Sequence, residues 1–310
     1  MNYLELLSHA VERGRESDVR AILSQGQDVN AILDRRTGET LLHRAVRKGQ
    51  LSVCEVLISS GANVSVSELC GDRATPLHLA AGLPRLDVCA LLLKAGANVN
   101  ARRLHCVTPL MDAAGGREVN LAMCEMLAEH GADLDAMDRL GYTTLNMAIA
   151  FGWTPLARLL LERGADANRT GGLNFDAPLR NAIFTIVSSD ETKTLEDEIV
   201  ERVSLLLDYG ADPCHIPDGC PASYLTPLQS AFVTNYVTFV DLFASRCVLD
   251  LDGRTAGGQT LDELCENDKV ARARLVALRV EQVIRQSMTQ AGSETCAIDA
   301  RRATIDRSPI

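Results

Sequence analysis

One short segment recurs along the chain at a nearly constant interval, and it constrains the fold more than any other feature. Five glycines, Gly61, Gly96, Gly131, Gly164 and Gly210, each follow an aliphatic run and precede Ala-Asn or Ala-Asp. Their spacings are 35, 35, 33 and 46 residues, and a weaker copy at 21–31 puts Gly26 another 35 residues upstream. A second marker precedes the first at a fixed offset. It reads TPLHLAA at 75–81, and Thr40, Thr108, Thr143, Ala177 and Thr226 open its counterparts. A period of this length describes a small supersecondary unit that cannot bury its own apolar face and must stack on copies of itself.

The residues inside one period say what that unit is. Thr75 is a helix-capping residue and Pro76 suits the first helical turn. Leu77, Ala80 and Ala81 then share one face, and the small alanines permit close approach of the next copy. The following segment, LDVCALLLKA at 86–95, places Val88, Leu91 and Leu92 at helical spacing, and Gly96 ends it. Asn/Asp- and Gly-rich residues then lead into the next copy as a hairpin loop. Cys54, Cys89 and Cys124 fall at the same second-helix position, 35 residues apart. Small buried hydrophobes are expected there, rather than redox or metal-binding thiols. Leu92, in the least degenerate copy, should be fully buried.

These two markers resemble the ankyrin repeat, whose pattern is roughly GxTPLHxAAxxGxxxxVxxLLxxGAxxN. The resemblance covers 1–250 clearly and 255–286 weakly. It implies an all-α solenoid of helix-turn-helix pairs with hairpin loops, about seven to eight repeats in all. Residues 1–286 are then one array with a degenerate capping repeat at its end, and 287–310 a flexible tail. It also implies that His43 and His78 hydrogen-bond between repeats. Asn30, Asn100 and Asn168 end their repeats; such asparagines can be hydroxylated in the family, and a role in supporting the hairpin needs no modification. Departures from the pattern are local. Pro84 replaces an interhelix glycine, the fourth repeat is longer around Gly115-Gly116-Arg117, and the sixth carries a polar insert at 186–198 that is either a mobile loop or an extension of the helices.

Composition limits the function. The 310 residues carry 31 basic and 41 acidic side chains, net -10, which argues against general nucleic-acid binding. Residues 269–310 are locally basic, with eight cations against four anions; the tail either folds back on the acidic array or is simply solvated. No apolar run approaches the ~20 residues of a membrane span, and the first 16 residues do not read as a secretory signal. A cytoplasmic protein, with the nucleus open to it, and reduced thiols are expected. No metal site is expected: Cys214, His215 and Cys220 fall short of the four ligands of a closed zinc site. His9, His105 and His130 lack a nucleophile partner, and Gly171-Gly172 and Gly257-Gly258 lack the Lys of a phosphate loop. No cofactor and no catalysis are expected.

The resemblance therefore implies a monomeric, non-catalytic adaptor or scaffold that holds another protein on its concave face, built from hairpin tips and the exposed side of each first helix. The positions carried over are Arg36, Thr37, Glu39, Arg47 and Lys48 in the second repeat, Asp72, Ala74 and Leu83 in the third, and Leu104, His105 and Val107 in the fourth. The fifth gives Arg139, Leu140, Tyr142 and Phe151, and the sixth Leu173, Asn174, Asp176 and Phe184. Phe151 and Phe184 have a second reading, as thickening of the seam between repeats. A different class of function competes. Thr260-Leu261 and Cys265 match the start of a short box by which some ankyrin proteins join a cullin-type ubiquitin ligase, although Lys269 stands where that box needs an aliphatic residue. The plainer reading of that stretch is the first helix of the capping repeat.

Overall fold

In the computed structural model the described residues are 3–69, 71–83, 85–115, 119–171, 177–187, 193–234 and 236–285. The chain forms two compact units, Met1–Ala211 and Asp212–Ile310. In the first, helices come in antiparallel pairs: α1 (Tyr3–Glu12) with α2 (Glu16–Leu23), α3 (Leu41–Lys48) with α4 (Leu51–Ser59), and α5 (Pro76–Gly82) with α6 (Leu86–Lys94). Then follow α7 (Pro109–Ala114) with α8 (Leu121–Glu129), α9 (Thr144–Ala150) with α10 (Thr154–Glu162), and α11 (Pro178–Val187) with α12 (Lys193–Asp208). First helices stack on first helices and second on second, so the unit is an all-α stack of layers. Among the described residues its sheet is one two-stranded hairpin, β1 (Ile32–Asp34) antiparallel to β2 (Glu39–Thr40).

The second unit repeats the scheme with α13 (Pro227–Val233), α14 (Val237–Arg246), α15 (Leu261–Leu264) and a last helix, α16, over 269–285. Phe243, Leu261, Leu275 and Leu278 are among its buried residues. Val283, on the same last helix, is exposed.

Capping explains why each first helix starts where it does. The Thr75 hydroxyl accepts the His78 N–H while His78 Nδ1 accepts the Thr75 N–H at 3.2 Å, a reciprocal box that satisfies two otherwise unpaired donors. The ring's other nitrogen, Nε2, donates to the Val107 carbonyl of the next repeat at 3.1 Å. His43 does the same between Thr40 and the Ala74 carbonyl, at 3.2 Å. The role of His in tying repeats together is thus present, and Asn146 and Gln229 hold their own capping threonines where the histidine is replaced. Ala45, Ala80, Ala113, Ala148 and Ala182 are all buried, which lets the first helices approach closely. After each second helix of this unit the marker glycine adopts a left-handed conformation, with φ from 81° at Gly26 to 94° at Gly164.

The polar insert resolves in part into helix: 186–187 close α11 and 193–198 open the 16-residue α12. Residues 188–192 lie outside the described residues, as do Pro84, Gly116-Arg117 and the tail 287–310. No helix among the described residues is long and apolar enough to cross a membrane.

Candidate functional site

Between successive helix pairs of the first unit the chain reaches out as a finger, and the fingers are bonded to one another through the backbone. The Leu69 N–H donates to the Thr37 carbonyl at 2.8 Å, Leu104 to Asp72 at 2.8 Å, and Arg139 to His105 at 2.7 Å. The next finger lies so close that Gly171 has no room for a side chain against the Gly141 carbonyl. A continuous row therefore runs from residue 37 to residue 171. Aspartates fold each turn locally; Asp138 Oδ1 accepts the N–H groups of Leu140 and Tyr142 at 2.8 and 2.9 Å. At the fourth finger His105 and Cys106 both take positive φ, 63° and 62°, conformations that cost ordinary residues energy.

The row exposes apolar side chains. Leu140 is 51% exposed and Leu104 39%. At the end of the fifth first helix Phe151 is 66% exposed, and its ring stacks on Trp153 with centroids 4.9 Å apart. Tyr142 is half-buried. Phe151 thus lies on the surface, with its contact made inside its own repeat. Two residues that the sequence does not single out belong here. Leu69, at 61% exposure, extends the apolar row to the third finger. Trp153, the only tryptophan, supports Phe151. Its position two residues after an exposed phenylalanine is a signal that the repeat pattern hides, because both residues fall in a variable turn. Ala74 is buried, not on the stripe, because its carbonyl faces the His43 ring. Leu83 and Asp72 are exposed.

The basic end divides in two. Arg36 and Lys48 are exposed. Arg47 lies between two carboxylates, Glu39 at 2.8 Å and Glu68 at 2.5 Å, and Arg44 also holds Glu39, at 2.7 Å. These arginines hold the Glu39 carboxyl below the usual carboxylate range against the opposing effect of its burial. The Arg47 charge is therefore taken up by Glu39 of the second repeat and Glu68 of the third finger. Leu173 lies outside the described residues, as does the side chain of Phe184, whose backbone belongs to α11.

Elsewhere, Leu261 and Cys265 are each 1% exposed. Both are used in packing the second unit, so neither side chain is presented for docking. Among the described residues no cluster of three or more His, Cys, Asp and Glu side chains could hold a metal ion. Cys54, Cys89 and Cys124 are fully buried free thiols, and burial pushes each up to about 12. Asn30, Asn100 and Asn168 each donate from the side chain to the marker glycine carbonyl of the following repeat, at 3.3, 3.1 and 2.9 Å. That is the hairpin-supporting role.

Comparison with known proteins agrees with this architecture. The family model described as ankyrin repeats (3 copies) matches residues 7–103 and 104–171. A human protein, BCL-6 corepressor-like protein 1, is 33% identical over 91 residues, covering 28% of this chain and 4% of that protein. Ankyrin repeat, SAM and basic leucine zipper domain-containing protein 1 from Carollia perspicillata is 34% identical over 94 residues, and its Equus caballus counterpart 33%. Each of those matches covers 30% of this chain and 18% of the relative, so the similarity is confined to a small part of those longer proteins.

Proposed function

The chain belongs to the ankyrin repeat family, and from that premise we propose that it is a non-catalytic adaptor holding a partner protein on the fingers and first-helix ends of its first unit. Repeats of this family are generally protein–protein interaction modules. One observation carries the specific reading. Leu104, Leu140 and Phe151 are large, apolar and exposed on adjoining repeats, while the consensus that maintains the fold demands none of them. Arg36 and Lys48 give one end of the surface a positive charge. The reading keeps 1–286 as one repeat array followed by a tail, and takes the protein as a monomer of the cytoplasm or nucleus, with its thiols reduced. Burial of Leu261 and Cys265 weighs against recruitment of a ubiquitin ligase through 260–270.

A photo-crosslinking residue placed at Leu140, at Leu104 and, as control, at the exposed Ala90 of α6 tests the reading in cells. The expected result is one dominant protein captured from Leu140 and Leu104 but not from Ala90. Capture from Ala90 alone would contradict it, and recovery of elongin and cullin subunits would revive the ligase alternative.

A further inference from the structure

The last helix departs from the usual end of a repeat array. α16, over 269–285, carries five basic side chains and one acidic one in a chain of net charge -10. Its inner face is closed: Ala271, Leu275 and Leu278 are buried. Its flanks are pinned to the second unit. Arg274 holds Asp241 at 2.7 Å and Glu281 at 3.1 Å, and Arg279 holds Asp262 at 2.8 Å and Asp252 at 2.9 Å. Gln282 donates to the Leu249 carbonyl at 3.0 Å, and Arg285 to the Ala244 carbonyl at 2.7 Å. The outer face is open and apolar. Val276, Val280, Val283 and Ile284 follow one another at helical spacing, and each is more than half exposed. End repeats ordinarily turn a polar face to water.

The register of the helix identifies this face. In α4, α6 and α8 the fourth residue after the N-cap is a cysteine whose N–H donates to the carbonyl of that cap: Cys54 to Gln50, Cys89 to Arg85 and Cys124 to Asn120. In α16 the Arg272 N–H donates in the same way to Asp268, at 3.0 Å. The Asp268 side chain accepts the N–H groups of Val270 and Ala271, as a capping residue does. Arg272 therefore stands where the three cysteines stand. Inside the array that position has no solvent exposure, because second helices stack on second helices; Asp87 of α6 lies close enough to Cys54 to push its thiol up. Among the described residues no second helix covers α16, and Arg272 is exposed. Val276 lies one turn beyond it, and Val280 and Val283 continue the line. The open stripe thus occupies the side on which this fold ordinarily seats another helix.

We propose that α16 docks an amphipathic helix of a partner protein, whose apolar stripe covers Val276, Val280, Val283 and Ile284 and whose acidic residues meet Lys269 and Arg272. Those two cations are exposed at the start of the stripe and form no ion pair among the described residues. None of the exposed residues of α16 is acidic, so an acidic helix meets no like charge on this face. A second copy of the chain is excluded as the occupant by the same charges. It would add cations to cations, and its one acid on α16, Glu281, is already held by Arg274. A lipid surface fits less well. Helices that lie in a membrane surface do so with Trp, Phe and Leu, whereas this stripe is made of β-branched residues, which pack well as knobs between helices. The stripe spans about 12 Å by the rise of a helix, so the contact is small and reversible. The surface belongs to the second unit and goes beyond the adaptor reading, which concerns the first.

The test uses the full chain and three fluorescein-labelled peptides in anisotropy titrations. These are the helical peptide (Glu-Ile-Ala-Ala-Leu-Glu-Ala)3, its counterpart (Lys-Ile-Ala-Ala-Leu-Lys-Ala)3, and a peptide of the first one's composition rearranged so that Ile and Leu share no face. Co-sedimentation with vesicles of phosphatidylcholine and phosphatidylserine, and analytical ultracentrifugation of the chain alone, cover the other occupants. The expected result is saturable binding of the glutamate peptide, weakened by added salt and at least fivefold tighter than either other peptide. The chain alone should stay monomeric and leave the vesicles unbound. Val280→Ser with Val283→Ser should reduce the affinity at least tenfold. Lys269→Glu with Arg272→Glu should weaken the glutamate peptide and strengthen the lysine one. All four side chains are exposed, so both variants should melt as the parent does; Val276→Ser alone provides a milder variant with a smaller loss of affinity. Equal binding of the rearranged or lysine peptide, or indifference to the valine or charge changes, would overturn the proposal. So would vesicle binding, or a dimer, that the valine changes abolish. Peptide binding that persists when Leu104 and Leu140 are both changed to Ser supports the proposal even if the adaptor reading fails. Loss of peptide binding in the parent chain, with the Leu140 partner still captured, removes this inference alone.

Discussion

At the scale of single residues the account depends on which side chains are sealed between layers and which are not. Leu92 has no solvent exposure, so Leu92→Ala should cost about 2–5 kcal/mol in denaturant melts, as deletion of a buried leucine does. A loss under about 1 kcal/mol would mean that the layer around it collapses freely. The three aligned thiols are equally sealed and, at about 12, carry almost no thiolate at neutral pH. Cys54, Cys89 and Cys124 should alkylate slowly in the native protein, while the exposed Cys106 reacts quickly. Labelling of all four at one rate would contradict that arrangement. These burials were legible in the sequence because the period itself repeats them. Leu69 and Trp153 were not, because a finger or turn residue obeys no period and its exposure depends on what the neighbouring repeat leaves uncovered.

At the scale of the element, the first helices are held by a histidine that must stay neutral. Nδ1 of His43 and His78 accepts a backbone N–H and Nε2 donates to the next repeat, so a second proton would set donor against donor. Burial, the largest influence, pushes both below their ordinary 6.5. The unfolded chain then binds more protons than the folded one just below that value. Stability is therefore fully present above 6.5 and falls as pH drops through it. The double change His43→Gln and His78→Gln keeps a capping partner of the kind Gln229 provides, and it should flatten the decline between pH 7 and pH 5. An unchanged slope would show that other groups set it. The sequence announced this element through TPLH alone. It did not announce that the 186–198 insert lengthens α11 and α12, because a polar acidic stretch fits an exposed helix as well as a loop.

At the scale of the whole molecule, repetition made the fold readable and left the surface to be found. The markers specify caps, seams and turns, and every copy that has them builds a layer. The proposed binding surface uses the positions they leave free. Arg36, Leu104, Leu140 and Phe151 are exposed, but Arg47 is engaged by Glu39 of its own repeat and by Glu68 of the next finger, a pairing that the repeat markers do not announce. Arg47→Ala should accordingly lower the melting temperature, whereas Arg36→Ala should leave it within a degree or so; equal effects would mean the Glu39 and Glu68 contacts are idle.

The central claim is that the exposed apolar row binds a protein and does not hold the fold. Calorimetric titration of the crosslinked partner against the double variant Tyr142→Ala and Phe151→Ala, with melting temperatures recorded alongside, tests it most directly. Aromatic anchors of an interface typically contribute about 2 kcal/mol or more each. The account predicts at least tenfold weaker binding with little change in melting temperature. Undiminished affinity, or a large loss of stability that shows the two rings to be core, would contradict it.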